Sequence, residues 1–249
     1  MVNSVLKAIR ILEILGKGKI LGITELSKEL DIPKSSTHNI LQTLESEGFV
    51  EKSGDTFKYN LGTSLIELGY RAQNDLAICR IAGPYLNGLN RETDETVHLT
   101  VLDNDEVLYV GCVESIKTVR AHAIIGLKAP LYCTSVGKAI LAYLSEDHID
   151  RIIQEKGLEK RTENTIIVKD KLITDLEKTR ERGYSIDNME IEDHLTCLGA
   201  PIMNGRGEVF ASISISGPTG RLPLDIVNKY GPLVKKVADQ ISRKLGFRK

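Results

Sequence analysis

The 249-residue sequence predicts an α+β protein: a winged helix-turn-helix at the N-terminus, a linker helix, and a larger C-terminal domain mixing helices with strands. Three observations predict it. Apolar residues between Ser4 and Leu44 recur at three- and four-residue steps, punctuated by Gly and Pro. Two short strand-like runs, Phe49–Lys52 and Thr56–Tyr59, then flank the turn residues Ser53-Gly54-Asp55. Beyond Pro84 the pattern changes to hairpin strands interleaved with helices, unlike a doubly wound parallel sheet. The expected boundaries are residues 1–62, 63–81 and 82–249, and a chain of this length suits two unequal domains.

Val5, Ala8, Ile9, Leu12 and Leu15 form one stripe on a first helix over Ser4–Leu15, which Gly16-Lys17-Gly18-Lys19 stops. Thr24 is placed to cap a second helix bearing Glu25, Leu26 and Leu30. Asp31-Ile32-Pro33 interrupts it, and Pro33 suits the first position of a third helix, where an N–H would be unpaired anyway. Thr37, Ile40, Leu41 and Leu44 face inward on that helix, and Gly48 ends it. Asn60-Leu61-Gly62 closes the hairpin, and Leu65, Leu68, Ala72 and Leu76 mark Thr63–Ile81 as one connecting helix. Downstream, strands His98–Leu102 and Val107–Val113 flank the turn Asp103-Asn104-Asp105-Glu106, and Val119–Ile125 reads as a further strand. Ser135–Leu144, Glu146–Lys156 and Asp170–Arg182 are expected helices. Tyr184–Ile186, Leu198–Met203 and Val209–Ser216 are expected strands, with Leu224–Leu245 a closing helix.

Composition narrows the function. Hydrophobic residues make up 41% and charged residues 27%, an ordinary balance for a globular chain. The start lacks a basic region followed by an apolar stretch, and no run is long enough to cross a bilayer, so no membrane partner is expected. Cys79, Cys112, Cys133 and Cys197 lie far apart without a C-x-x-C, which fits reduced thiols in a cytoplasm. The formal charge of −1 does not decide for or against nucleic acid, because only the face meeting phosphate needs positive potential.

The third helix carries the functional argument. Ser35, Ser36, His38, Asn39, Gln42 and Thr43 fall on its outward side, all polar and none a carboxylate. A face entering a DNA groove needs donors for phosphates and base edges and no charge that repels the backbone. Gln42 and Asn39 could pair with adenine, while Lys34, Ser35 and Ser36 near the helix start could hold phosphate. Lys52 and Lys58 on the hairpin are candidates for backbone contact by the wing. A solvated face of a small helical bundle would also look polar. The freedom from carboxylates, in a chain with 34 acidic residues, favours DNA.

The sequence also resembles the IclR family of transcriptional regulators. The N-terminal blocks are Val5–Glu13, Thr24-Glu25-Leu26, Ile32–His38 and Leu41–Phe49, followed by Tyr59-Asn60-Leu61-Gly62. Further blocks are Glu95–Leu99, Pro130–Ala139 and Gly183–Asp187, with Leu198–Ile202 through Ser212–Pro218 the most specific. They run in order over nearly the whole chain. The resemblance implies a GAF-like effector-binding and oligomerisation domain with a pocket on one side of its sheet. A homodimer, or a dimer of dimers, is expected, its two recognition helices reading half-sites of an inverted-repeat operator in double-stranded DNA.

For a small-molecule effector, a small carboxylate or related metabolite, the expected contacts are Tyr109, Cys112, Gly126, Leu127, Asp187, Leu195, Cys197, Ser214 and Ser216. Gly126 and Leu127 would offer backbone N–H groups, and Ser214 and Ser216 alternate onto one face of a strand. Leu195, Tyr109 and Cys112 would form apolar walls. Asp187 fits a carboxylate poorly, and is expected instead to accept from a hydroxyl or to orient a neighbouring donor.

Competing readings are weaker. Val136-Gly137-Lys138-Ala139 lacks the earlier Gly and the final Ser or Thr of a phosphate loop. No G-x-S-x-G elbow of a serine hydrolase is present. No catalytic residue, enzyme activity or cofactor is expected of a regulator. His194 and Cys197, with His98, His122 or Cys133, could hold zinc only if the fold gathered them, and no metal is expected. His98 and His122 are expected to be packed in or beside strands. An enzyme or free-standing metabolite binder whose N-terminal helices only dimerise is the remaining rival.

Overall fold

The computed structural model describes residues 2–122 and 125–248 and divides between Asp75 and Leu76 into two compact units. The first contains α1 (Asn3–Gly16), β1 (Leu21–Gly22), α2 (Ile23–Glu29), α3 (Lys34–Ser46), β2 (Val50–Ser53), β3 (Lys58–Leu61) and α4 (Ser64–Asp75). The strands form an antiparallel sheet in the order β1-β3-β2. Ile11, Ile14, Leu15, Leu26, Leu41, Val50 and Tyr59 make its core. The order is that of a winged helix-turn-helix, with β1 an addition too short for periodicity to register.

Local chemistry explains the boundaries and corrects several expectations. The α1 stripe is rotated: Ile11 and Ile14 join Leu15 in the core, while Val5 and Ile9 remain about half exposed at 54% and 47%. Thr24 does not cap α2; the helix starts at Ile23, and the Glu25 carboxylate reaches back to accept the Gly22 N–H at 2.7 Å. Pro33 stands one position before α3, its carbonyl accepting the Thr37 N–H at 3.0 Å. The turn ahead of it is tied by Ser27, whose hydroxyl donates to the Ile32 carbonyl at 2.6 Å. Gly48, with φ of 72°, lets Phe49 N–H reach back to the Leu44 carbonyl at 2.8 Å and so ends α3.

The single connecting helix expected over 63–81 is two helices. Ser64–Asp75 is α4, and after Leu76 a new helix, α5 (Ala77–Thr93), opens the second unit with Pro84 inside it rather than at a change of pattern. Then follow β4 (Thr96–Asp103), β5 (Glu106–Val113), β6 (Lys128–Ala129), α6 (Ser135–Leu141), α7 (Glu146–Lys156), α8 (Lys169–Arg182), β7 (Ser185–Asn188), β8 (Leu195–Met203), β9 (Val209–Pro218) and α9 (Leu224–Lys244). The six strands form an all-antiparallel sheet in the order β6-β5-β4-β9-β8-β7. Asn104 and Asp105, with φ of 51° and 61°, make the tight β4–β5 turn that their side chains tolerate. Val119 to His122 are not in a strand, and Ala123 and Ile124 of the strand expected there lie outside the described residues.

Two layers of helices cover this sheet, and the period of two along each strand sorts the side chains between them. Val97 and Leu99 of β4, Leu198, Ala200 and Ile202 of β8, and Ala211, Ile213 and Ile215 of β9 pack with α5 and α9. The alternate positions are polar: Thr96, His98 and Thr100 on β4, Ser212, Ser214 and Ser216 on β9, Ser185 and Asp187 on β7. Much of this polar face is capped by α6. Ser212 Oγ donates to the Val136 carbonyl at 2.9 Å, and Thr100 and Ser212 hydroxyls meet at 2.7 Å. Where α6 stops, a cavity remains, with this polar face as its floor and apolar side chains around it.

Candidate functional site

Two surfaces carry the sequence-predicted residues, one in each unit. On α3, Lys34, Ser35, His38, Asn39, Gln42 and Thr43 are exposed and Ser36 is half-buried, opposite the fully buried Thr37 and Leu41. The Thr37 hydroxyl donates to the Pro33 carbonyl at 3.2 Å, which explains a polar group on the inward side. The Thr43 hydroxyl is similarly turned back onto the Asn39 carbonyl at 3.0 Å. No carboxylate interrupts the exposed face before Glu45. On the wing, the Lys52 ammonium sits 4.7 Å from the Phe57 ring centre, and Lys58 pairs with Glu25 at 3.6 Å. Among the described side chains Lys52 has no carboxylate partner, whereas Lys58 shares its charge with Glu25.

In the second unit, seven of the nine expected effector residues line one cavity of about 250 Å³: Tyr109, Leu127, Asp187, Leu195, Cys197, Ser214 and Ser216. Its floor is the polar face of β4, β9 and β8, and the start of α6 closes one side through Thr134 and Ser135. Two expectations fail. The Gly126 N–H is committed to the Tyr109 carbonyl at 2.8 Å, so it cannot greet an anion, and Gly126 does not line the cavity. Cys112, paired across the strands with His98, does not line it either.

Sequence reading missed the residue at the centre of the floor. His98 is buried, lines the cavity, and stands edge-on to the Tyr109 ring at 5.4 Å between centres. Its Nδ1 lies 3.4 Å from Ser214 Oγ and 3.3 Å from Ser216 Oγ. Applying the alternation already used for Ser214 and Ser216 to β4 would have found it, because His98 is directly opposite Ser214. His122 also lines the cavity, from the irregular segment rather than a strand.

Burial sets the protonation states. It lowers His98 to about 4, leaving the ring neutral, and pushes Asp187 up to about 7 against the opposing pull of the Glu190 N–H it accepts. Burial also raises the Tyr109 hydroxyl and the Cys197 thiol, so both stay protonated. Among the described residues, no group of three or more His, Cys, Asp or Glu is arranged to hold a metal ion. His194 is exposed while Cys197 is buried in the cavity wall.

Comparison with known proteins agrees with this division. Residues 4–54 match the IclR helix-turn-helix domain, and residues 71–243 match the bacterial transcriptional regulator IclR C-terminal domain. The chain belongs to the IclR family of DNA-binding transcriptional regulators. It is 37% identical over 246 residues to the HTH-type transcriptional regulator KdgR of Escherichia coli, covering 99% of this chain and 94% of that one. The crystal structure of Thermotoga maritima IclR superposes with a TM-score of 0.78 at 33% identity, covering 99% of this chain and all of the other. An IclR homologue from Microbacterium hydrocarbonoxydans, solved in complex with 4-hydroxybenzoate, shares the fold with a TM-score of 0.83. That likeness spans 98% of this chain and 99% of the homologue at 22% identity. Among the described residues, no helix of this IclR-family chain is long and apolar enough to cross a membrane.

Proposed function

We propose that this IclR-family regulator binds double-stranded DNA as a homodimer, or a dimer of dimers, and releases or tightens its grip when a small organic molecule fills the cavity. The carboxylate-free face of α3 carries the reading. With α3 in the major groove, Asn39 and Gln42 reach base edges, His38 and Thr43 flank them, and Lys34, Ser35 and Ser36 at the helix start hold phosphate. Lys52, with Lys58 beside it, approaches the backbone from the wing. Self-association is supported by α4, which buries none of its residues and leaves Ile66 and Tyr70, one turn apart, 73% and 66% exposed. Two copies related by a two-fold axis would read the halves of an inverted repeat.

The ligand class we assign is a small carboxylate or a related metabolite, held by His98, Ser214, Ser216 and Asp187 between Tyr109, Leu127, Leu195 and Cys197. The 4-hydroxybenzoate held by the Microbacterium protein supports a ligand of that size and charge. Its binding changes operator affinity only if it favours one arrangement of the DNA-binding units over another, with α4 leading from one unit towards the other. The protein acts by binding rather than catalysis, and its four unpaired cysteines suit a reducing cytoplasm. Selection from a random duplex library with the full chain, followed by footprinting, tests the DNA reading. The expected product is an inverted repeat with half-site centres about one helical turn apart. A pool with no sequence enrichment would overturn it.

A further inference from the structure

Two buried polar atoms of cavity-lining residues lack a hydrogen-bond partner among the described residues: Asp187 Oδ2 and His98 Nε2. What each offers follows from how the rest of its side chain is held. Ser214 and Ser216 hydroxyls stand within 3.4 Å of His98 Nδ1, and a hydroxyl donating there places the ring proton on Nε2. In that tautomer His98 is a neutral donor at Nε2, whereas with the hydroxyls accepting from Nδ1–H it is an acceptor there. Asp187 Oδ1 accepts the Glu190 N–H at 2.8 Å, while Oδ2 is buried without a partner among the described residues, and burial outweighs the Glu190 and Ile191 N–H groups and the Lys138 charge that favour ionisation. As an acid, Asp187 would present an O–H from the same wall. His98 and Asp187 both line the cavity, and an Asp187 O–H would give a carboxylate that reaches it a donor instead of a repelling charge.

We propose that Asp187 meets a carboxylate ligand as the neutral acid, so that in alkaline solution each ligand enters together with one proton. This rests on the reading of the cavity as a ligand site. The proton comes from solvent and resides on the Asp187 carboxyl, which donates it to the incoming carboxylate. It also removes the conflict between Asp187 and an anionic guest that the sequence posed.

Of the acids here, Glu190 also faces Asp187: burial raises it too, its charge raises Asp187, and Lys138 pulls both down, so the Asp187→Asn comparison isolates the Asp187 proton. His98 from β4, Tyr109 from β5 and Cys197 from β8 are neutral near neutral pH, and so is Cys133 ahead of α6, pushed up to about 12 by burial. Lys138 of α6 is buried, but its charge is met by Glu190 at 2.5 Å and Asp175 at 2.9 Å. At the cavity mouth, Lys128 pairs with Asp103 at 2.5 Å and His122 lies 3.4 Å from Glu114. None of these cations is left over to neutralise both Asp187 and a ligand.

Calorimetry of the full-length protein tests the proposal, with acetate, benzoate and 4-hydroxybenzoate as probes at pH 6.0 and 8.5 in two buffers of different ionisation enthalpy. With Asp187 half-protonated near pH 7, the carboxylates that bind should do so about thirty-fold more tightly at pH 6.0. Buffer-dependent heat at pH 8.5 should report uptake approaching one proton per ligand. Asp187→Asn, which keeps a donor without a titration, should bind equally well at both values with no proton uptake.

Binding that is independent of pH and buffer in the parent would overturn the proposal while leaving the site intact, a distinction that loss of binding in Ser214→Val would confirm. Folded Asp187→Asn that binds nothing at either pH would also overturn it, because Asp187 would then act as an ionised acceptor. Failure of every carboxylate to bind the parent would remove the ligand-site reading and this proposal together.

Discussion

At Gly199 a side chain has nowhere to go: a Cβ would stand 2.5 Å from the Ser135 carbonyl oxygen and 2.8 Å from Ser185 Oγ. The bare backbone lets the start of α6 settle onto β8, and the edge of that contact is the cavity wall. Gly199→Ala should therefore destabilise the second unit by about 1–3 kcal/mol, read by urea denaturation. An unchanged midpoint would mean that α6 can lift without cost. The two buried titrating groups beside it pull stability in opposite directions with pH. His98 titrates lower when folded than its free value of 6.5, so the unfolded chain binds more protons between about 4 and 6.5. That contribution is lost as pH falls through the window. Asp187 titrates higher than its free 3.8, so its contribution is present below that value and lost as pH rises to about 7. The stability of Asp187→Asn relative to the parent should thus climb between pH 4.5 and 6.5, by at most about 1.4 kcal/mol per pH unit. A flat difference would show that Asp187 does not carry its proton into the fold. At this scale Ser214 and Ser216 were legible because strand alternation alone puts them on one face. His98 was open to the same alternation applied to β4, whereas the committed Gly126 N–H was not legible, since it depends on how an irregular segment returns to β5.

Among the elements, α3 was the easiest to read. Pro33 and Gly48 bound it, its outward side is polar and free of carboxylates before Glu45, and its inward side is apolar apart from Thr37. Gln42→Ala should weaken binding to a selected operator about ten- to a hundred-fold while barely changing affinity for unrelated duplex. Lys34→Ala should weaken both alike and lower the dependence of log affinity on log salt by about one. The reverse pattern in titrations at several salt concentrations would exchange the two roles. The break between α4 and α5 was not legible: Leu76 is neither Gly nor Pro, and apolar spacing continues through it. Pro84 misled in the other direction, because tertiary packing of Ala82, Leu86 and Leu89 on the sheet holds a helix around it. Short strands were similarly hidden, β1 and β6 each having two residues.

The whole molecule joins a carboxylate-free helix face and a cavity in one chain, and its proposed function is a coupling free energy between them. Such coupling is reciprocal: a ligand that changes operator affinity by some factor must have its own affinity changed by the same factor when operator is bound. The antiparallel α+β sheet and the order of elements were readable from periodicity, yet the coupling has no sequence signature, since it depends on differences between states. It is tested most directly by the operator dissociation constant of the full chain at fixed salt, with the cavity empty and with it saturated by a carboxylate shown to bind there. The account predicts a shift of about five-fold or more, in either direction, that is absent when the cavity is blocked by Ser214→Phe. Identical operator affinity with the cavity demonstrably full would contradict it.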